Sequence, residues 1–136
     1  TPALTPALIN KGTFSGLDAD LKQYLTYIHD LNVQRNTALM TQAGEISRVL
    51  NGIGIIPIML KGMAYLFSGL HGDIGARIVG DIDCLIPEER AEEALKQLES
   101  EGYTFPWAGH PLGHHHLPPA AREGSPAVVE LHTCPI

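Results

Sequence analysis

The chain has little that would tie it to a membrane, a disulfide framework or a nucleic-acid backbone. Among its 136 residues no stretch approaches the roughly 20 apolar residues of a membrane span, and no signal peptide is visible. There are two cysteines, Cys84 and Cys134, and neither belongs to a Cys-x-x-Cys pair, so both read as reduced thiols of a cytoplasmic protein. Nine Lys and Arg face fifteen Asp and Glu, for a net charge of −6, and the basic residues form no run. A basic patch of the kind that grips duplex nucleic acid is therefore not expected, although a small acidic enzyme can still use nucleotides. Charged residues make up 18 %, below the usual share, and there are no internal repeats. What is present is 44 % hydrophobic residues, enough for one globular domain with a real core. The chain opens on Thr1 and stops at Ile136, just after a strand-like segment, and so reads as a piece of a longer protein.

Residues 1–16 carry Pro2, Pro6, Gly12 and Gly16 among small residues and are expected to be irregular, with a single domain over 17–136. From Leu17 to about Leu50, apolar residues recur at steps of three and four: Leu17, Leu21, Tyr24, Leu25 and Ile28, then Leu39, Ala43, Ile46, Val49 and Leu50. Ser15 or Asp18 is placed to cap this helical stretch, Asn32 marks a possible break, and Gly52 and Gly54 end it. "IIPIML" (55–60) reads as a buried strand that Pro57 assigns to an edge or a bulge. A short helix over 62–70, a Gly-rich loop over 71–80 and a strand over 82–86 follow. Pro87, Glu88 and Glu89 open a helix to about Glu101 with the stripe Ala91, Ala94, Leu95, Leu98. "EGYTF" predicts a glycine stop and a short strand, 106–126 a Pro-, Gly- and His-rich loop, and Ala127–Thr133 a last strand. The order predicts an α/β or α+β domain with helices against a small mixed sheet.

Chemistry concentrates between Leu60 and Ile86. Side chains alternate along a strand, so Asp81 and Asp83 of "VGDIDCLIP" are expected on one face, with Cα atoms roughly 6–7 Å apart. Asp-x-Asp is common at turns and caps, but these two acids lie inside an apolar strand pattern, where unpaired charge is costly. Two such carboxylates suit magnesium, which prefers oxygen ligands and takes part of its shell from phosphates. Glu130, the one acid in "AVVELHT", is a candidate third carboxylate, and His132 shares its face as a supporting or substrate-contacting group. Upstream, Leu60-Lys61-Gly62 joins a strand to a helix start. Gly62 permits close backbone approach, the helix start offers N–H groups to an anion, and Lys61 supplies a charge for phosphates. Arg77, four residues before Asp81, is placed to reach the same phosphates. Each also has a plainer reading: a turn glycine, a solvated lysine, a loop arginine.

"GHPLGHHHLPP" holds His110, His114, His115 and His116. Adjacent histidines point apart in an extended chain and make a poor tetrahedral site, so a solvated or substrate-facing loop is the better reading. Trp107 beside them fits either a base-stacking residue or a lid over the core.

Taken together, these pieces resemble the nucleotidyltransferase superfamily built on the polymerase-beta-like core. Within it they are most similar to a family of uncharacterised bacterial nucleotidyltransferases, marked by Leu-Lys-Gly, a later Arg, Gly-Asp-Ile-Asp and a closing acid-x-His strand. The matching residues are Leu60, Lys61, Gly62, Arg77, Gly80, Asp81, Ile82, Asp83, Glu130 and His132, and "PEERAEEALKQLESEGY" resembles the helix that follows. The superfamily's serine is absent, since Met63 follows Gly62. The resemblance implies transfer of a nucleoside monophosphate from a nucleoside triphosphate to a hydroxyl acceptor, with release of pyrophosphate. It implies Asp81, Asp83 and Glu130 as catalytic and metal-binding residues for two Mg2+ or Mn2+ ions, and Lys61, Gly62 and Arg77 as phosphate binders. The acceptor is left open. A non-catalytic binding module on the same fold is the alternative, and a metal-binding His loop a third reading.

Overall fold

One helix organises the chain. In the computed structural model, which describes residues 1–70, 72–106 and 117–134, α2 (Ala19–Asn51) runs unbroken for 33 residues, about 50 Å. Asp18 caps it by accepting the Leu21 N–H at 2.9 Å, and Gly52 closes it. Leu39, Ala43, Ile46 and Leu50 give its C-terminal half a fully buried stripe. Asn32 does not break the helix; it lies on the buried face, and its side chain bonds elsewhere in the fold.

The N-terminal half of α2 is less covered. Of the apolar residues expected to form its stripe only Leu25 is buried, while Leu21 and Tyr24 are exposed. The reason is that the core lies under the other half, while among the described residues the N-terminal half receives α1 (Leu4–Asn10) at its start and, on one side farther along, the loop that leads to β2. α1 corrects the expectation of an irregular start: Pro6 sits in its first turn, where a missing N–H costs nothing, and buried Thr5 ties α1 to α2 through a 2.8 Å bond to the Leu25 carbonyl.

The sheet has the order β1-β2-β3, with β1 (Ile58–Met59) antiparallel and β3 (Val129–His132) parallel to β2 (Ile82–Leu85). β1 is shorter than expected, and Pro57 stands before it on the sheet edge. α3 (Lys61–Ser68) follows β1, and a 3-10 turn (Glu88–Arg90) leads into α4 (Ala91–Ser100). Parallel strands need a crossover, which α4 and the chain after it provide. "EGYTF" makes no strand: Gly102 (φ +89°) ends α4, Tyr103 enters the core, and Thr104 pairs only with Ala121 in an isolated bridge. Gln42 of α2 replaces a strand partner just before β3, with its amide nitrogen donating to the Ala127 carbonyl and its oxygen accepting the Ala127 N–H.

The architecture is α+β: helices against a small mixed sheet. Ile82 and Cys84 of β2 and Val129 and Leu131 of β3 join α2, Met63 and Leu66 of α3 and Ala94 and Leu98 of α4 in one core. Among the described residues no helix is long and apolar enough to cross a membrane. Trp107, His110 and His114–His116 lie outside the described residues.

Two outcomes follow. Asn36 of α2, fully buried, donates its side-chain amide to the carbonyls of Ile74 and Arg77. Asn36→Ala is expected to lower the unfolding free energy by about 2–3 kcal/mol, read as an earlier midpoint in urea; an unchanged midpoint would refute this use of the amide. Burial, and secondarily the charge of Asp83, push the Cys84 thiol from 9.0 up to about 12. The native chain thus keeps a proton that the unfolded chain releases between about pH 9 and 12, so stability is full below this window and falls as pH rises through it. Denaturant titrations across that range are expected to show the decline, with a flatter slope in Cys84→Ala.

Candidate functional site

The register of the parallel strands makes the site. Asp83 is paired with Glu130 and Leu85 with His132. Since Ile82, Cys84, Val129 and Leu131 turn toward the core, alternation sends Asp83, Glu130 and His132 to the opposite face. Their ligating atoms all lie within 4.8 Å of one another.

Asp83 is the centre. Its side chain is 1 % exposed, and its Oδ1 accepts hydrogen bonds from Lys61 Nζ at 2.6 Å and His132 Nε2 at 2.7 Å. A carboxylate offers no proton, so His132 carries hydrogen on Nε2. His132 is as buried as Asp83, and its Nε2 lies 3.9 Å from Glu130 Oε2. Asp81 stands one residue before β2, partly buried and outside this trio, but its charge still acts on Lys61. The hydrogen bond to Asp83 holds the Lys61 ammonium above its usual range; burial opposes this, and the charges of Asp83, Glu130 and Asp81 add to it.

The Lys-Gly turn differs in detail from its expected form. The left-handed residue is Lys61 (φ +46°), the only non-glycine with positive φ among the described residues. That conformation costs on the order of 1–3 kcal/mol and concentrates at functional sites. Gly62 is required for another reason: a Cβ there would lie 2.7 Å from Val79 Cγ1 and 3.0 Å from Cγ2. The close approach anticipated at this glycine is thus made by Val79, two residues ahead of Asp81, and it seats the start of α3 against the segment that leads into β2.

That segment is held by α2. Asn32 donates to the carbonyls of Gly75 and Arg77, Asn36 to those of Ile74 and Arg77, and Arg35 Nε to Val79 at 3.2 Å. His29 Nε2 meets both carboxylate oxygens of Asp73 at 2.9 Å, and Asp73 in turn accepts the Gly75 N–H. A Cβ on Gly75 would strike His29 and Val33 at 2.6 Å, so this loop lies directly on the helix. Its carbonyls take the donors, and the exposed Arg77 side chain stands 5.0 Å over the ring of Tyr65, on α3 one turn beyond Lys61.

Of the residues singled out in the sequence, Lys61, Asp83, Glu130 and His132 meet directly or nearly so. Gly62 follows Lys61 on α3, Arg77 lies over the Tyr65 ring of the same helix, and Asp81 lies within electrostatic range of Lys61. Asn32, Asn36, Arg35 and His29 were not anticipated. Their signal was nevertheless in the chain: Asn32 and Asn36 fall on the line from Leu25 to Leu39, polar residues at core positions of an amphipathic helix. The two converging carboxylates fit a divalent cation, with an ammonium already drawn into hydrogen bond with one of them, while the imidazole of His132, which donates its Nε2 hydrogen to Asp83, orients that carboxylate.

Gly62→Ala is expected to destabilise the chain by about 1–3 kcal/mol through overpacking, with recovery in the double variant carrying Val79→Ala. Thermal melts of the three variants check it; no recovery would mean that Gly62 matters for something other than Val79.

A model of a protein family described as uncharacterised nucleotidyltransferase matches residues 1–136. No curated protein and no solved structure matches the chain. With the match spanning the whole sequence, the chain belongs to this family of uncharacterised nucleotidyltransferases.

Proposed function

We propose that the chain carries the catalytic core of a divalent-metal-dependent nucleotidyltransferase, which moves a nucleoside monophosphate from a nucleoside triphosphate to a hydroxyl acceptor and releases pyrophosphate. The observation that carries this reading is the cross-strand pair Asp83–Glu130, with His132 and Lys61 closed around it beside the start of α3. Family membership supports the reaction class.

In this reading the acceptor oxygen forms a bond to the α-phosphorus as the bond from that phosphorus to the bridging oxygen of pyrophosphate breaks. The hydroxyl proton passes to Glu130, the least buried of the converging donors and so the one open to an acceptor. Asp83 and Glu130, with Asp81 adding charge from the mouth of β2, would hold Mg2+ or Mn2+; His132 orients Asp83 from within the sheet. When bound, the cation would neutralise charge on the reacting phosphates. Lys61 at the start of α3 and Arg77 over the Tyr65 ring of that helix would meet the β- and γ-phosphates, and most of the rate would come from positioning.

A binding module without turnover is the second reading. Met63 favours it, because this side chain stands where the superfamily places serine and is fully buried in the core, with nothing to offer a phosphate.

Melting temperature with Mg2+ or Mn2+, alone and with each nucleoside triphosphate, separates ligand binding from its absence. A metal-dependent rise is expected in the wild type and not in Asp81→Asn or Asp83→Asn. Pyrophosphate release is then expected to fall roughly 100-fold or more in either variant. A melting shift that survives both substitutions would refute the assignment of the cation to these carboxylates. Binding without pyrophosphate release across the four triphosphates would favour the module.

A further inference from the structure

We propose that Lys61 is the resident counter-ion of the carboxylate site and that a divalent cation displaces it from Asp83, freeing its ammonium for the phosphates of the incoming nucleotide. This rests on the metal-dependent reading above and adds an order to it: cation and lysine exclude one another at a single oxygen.

The geometry points there because Lys61 Nζ and His132 Nε2 converge on the same Oδ1 of Asp83. A cation drawn to that oxygen must displace one of the two donors. His132 is 1 % exposed and sits in a paired strand, so it has nowhere to go. The Lys61 side chain is 46 % exposed, at the end of a flexible four-carbon stem. Electrostatics agree. The site gathers the charges of Asp81, Asp83 and Glu130, and Lys61 offsets one of them. Once a divalent ion supplies that compensation, an ammonium at hydrogen-bond distance from the same carboxylate is repelled. The left-handed backbone at Lys61 places this residue at the very start of α3, where helix N–H groups favour phosphate, so a short swing carries the ammonium from carboxylate to phosphate. Nucleotide and cation would then reinforce each other, since phosphate gives the expelled ammonium a new partner.

The test is Mn2+ binding without nucleotide, measured by calorimetry on the wild type, Lys61→Met and Asp83→Asn, each checked for folding by circular dichroism. Lys61→Met is expected to bind Mn2+ about tenfold more tightly than the wild type, and Asp83→Asn to lose binding. A second measurement needs no substitution. The Nζ resonance of Lys61 in 15N-labelled wild type is followed as Mg2+ is added, and its hydrogen-bonded signature is expected to vanish in step with saturation. Equal Mn2+ affinity in wild type and Lys61→Met, or a Lys61 resonance unmoved at saturating Mg2+, overturns the displacement and leaves the metal site standing. Failure of both proteins to bind Mn2+ overturns the metal-dependent reading together with it.

Discussion

A buried carboxylate is what the rest of the structure answers to. Asp83 sits on the middle strand of a three-stranded sheet, almost wholly shielded from water. An ionised group there costs several kcal/mol unless charge and hydrogen bonds compensate it. The compensation comes from two directions: Lys61 reaches in from the start of α3, and His132 from β3. Each depends on separate backbone features. The parallel register puts His132 two residues beyond the partner of Asp83, and the left-handed conformation at Lys61 turns the chain from sheet into helix at the point where its ammonium meets the carboxylate. The contact of Gly62 with Val79 keeps α3 close enough for that reach.

The same constraint gives α2 its second task. Its C-terminal half builds the core in the ordinary way, with Leu39, Ala43, Ile46 and Leu50. One turn earlier the helix switches from apolar to amide side chains, and Asn32 and Asn36 clamp the carbonyls of the loop that leads to Asp81. A Gly-rich loop would ordinarily be free to move. Here its orientation is set by hydrogen bonds from a rigid helix, which is how a scaffold positions functional residues carried on a loop. That loop also delivers Arg77 to the Tyr65 ring, so α2, the loop and α3 form one continuous support around the carboxylates.

Much of the fold could be read from the chain, because periodicity reports which side faces a partner. The long helix, its Asp18 cap, the α3 and α4 helices and the β2 and β3 strands fall where the apolar spacing places them. The misses share a cause. Leu21 and Tyr24 carry a helical stripe yet lie exposed, because a stripe cannot say how much of the molecule is available to cover it. "EGYTF" has strand-like residues, but among the described residues its pairing stops at the single bridge of Thr104 to Ala121, and a strand needs a longer partner. α1 was obscured by prolines that a first helical turn tolerates.

By itself, the sequence determined the helix-and-sheet alternation, the apolar faces and the cluster of chemical residue types between Leu60 and Asp83 with an acid and a histidine near the end. These follow from local propensity and side-chain spacing, which act over a few residues. Only the tertiary structure decided which of those residues touch. It drew Lys61 to Asp83 across 22 positions and His132 to the same oxygen across 49, left Asp81 at the edge, and gave Gly62 to Val79. Strand register and the seating of a helix on a sheet are set by packing between distant segments, and no local pattern encodes them.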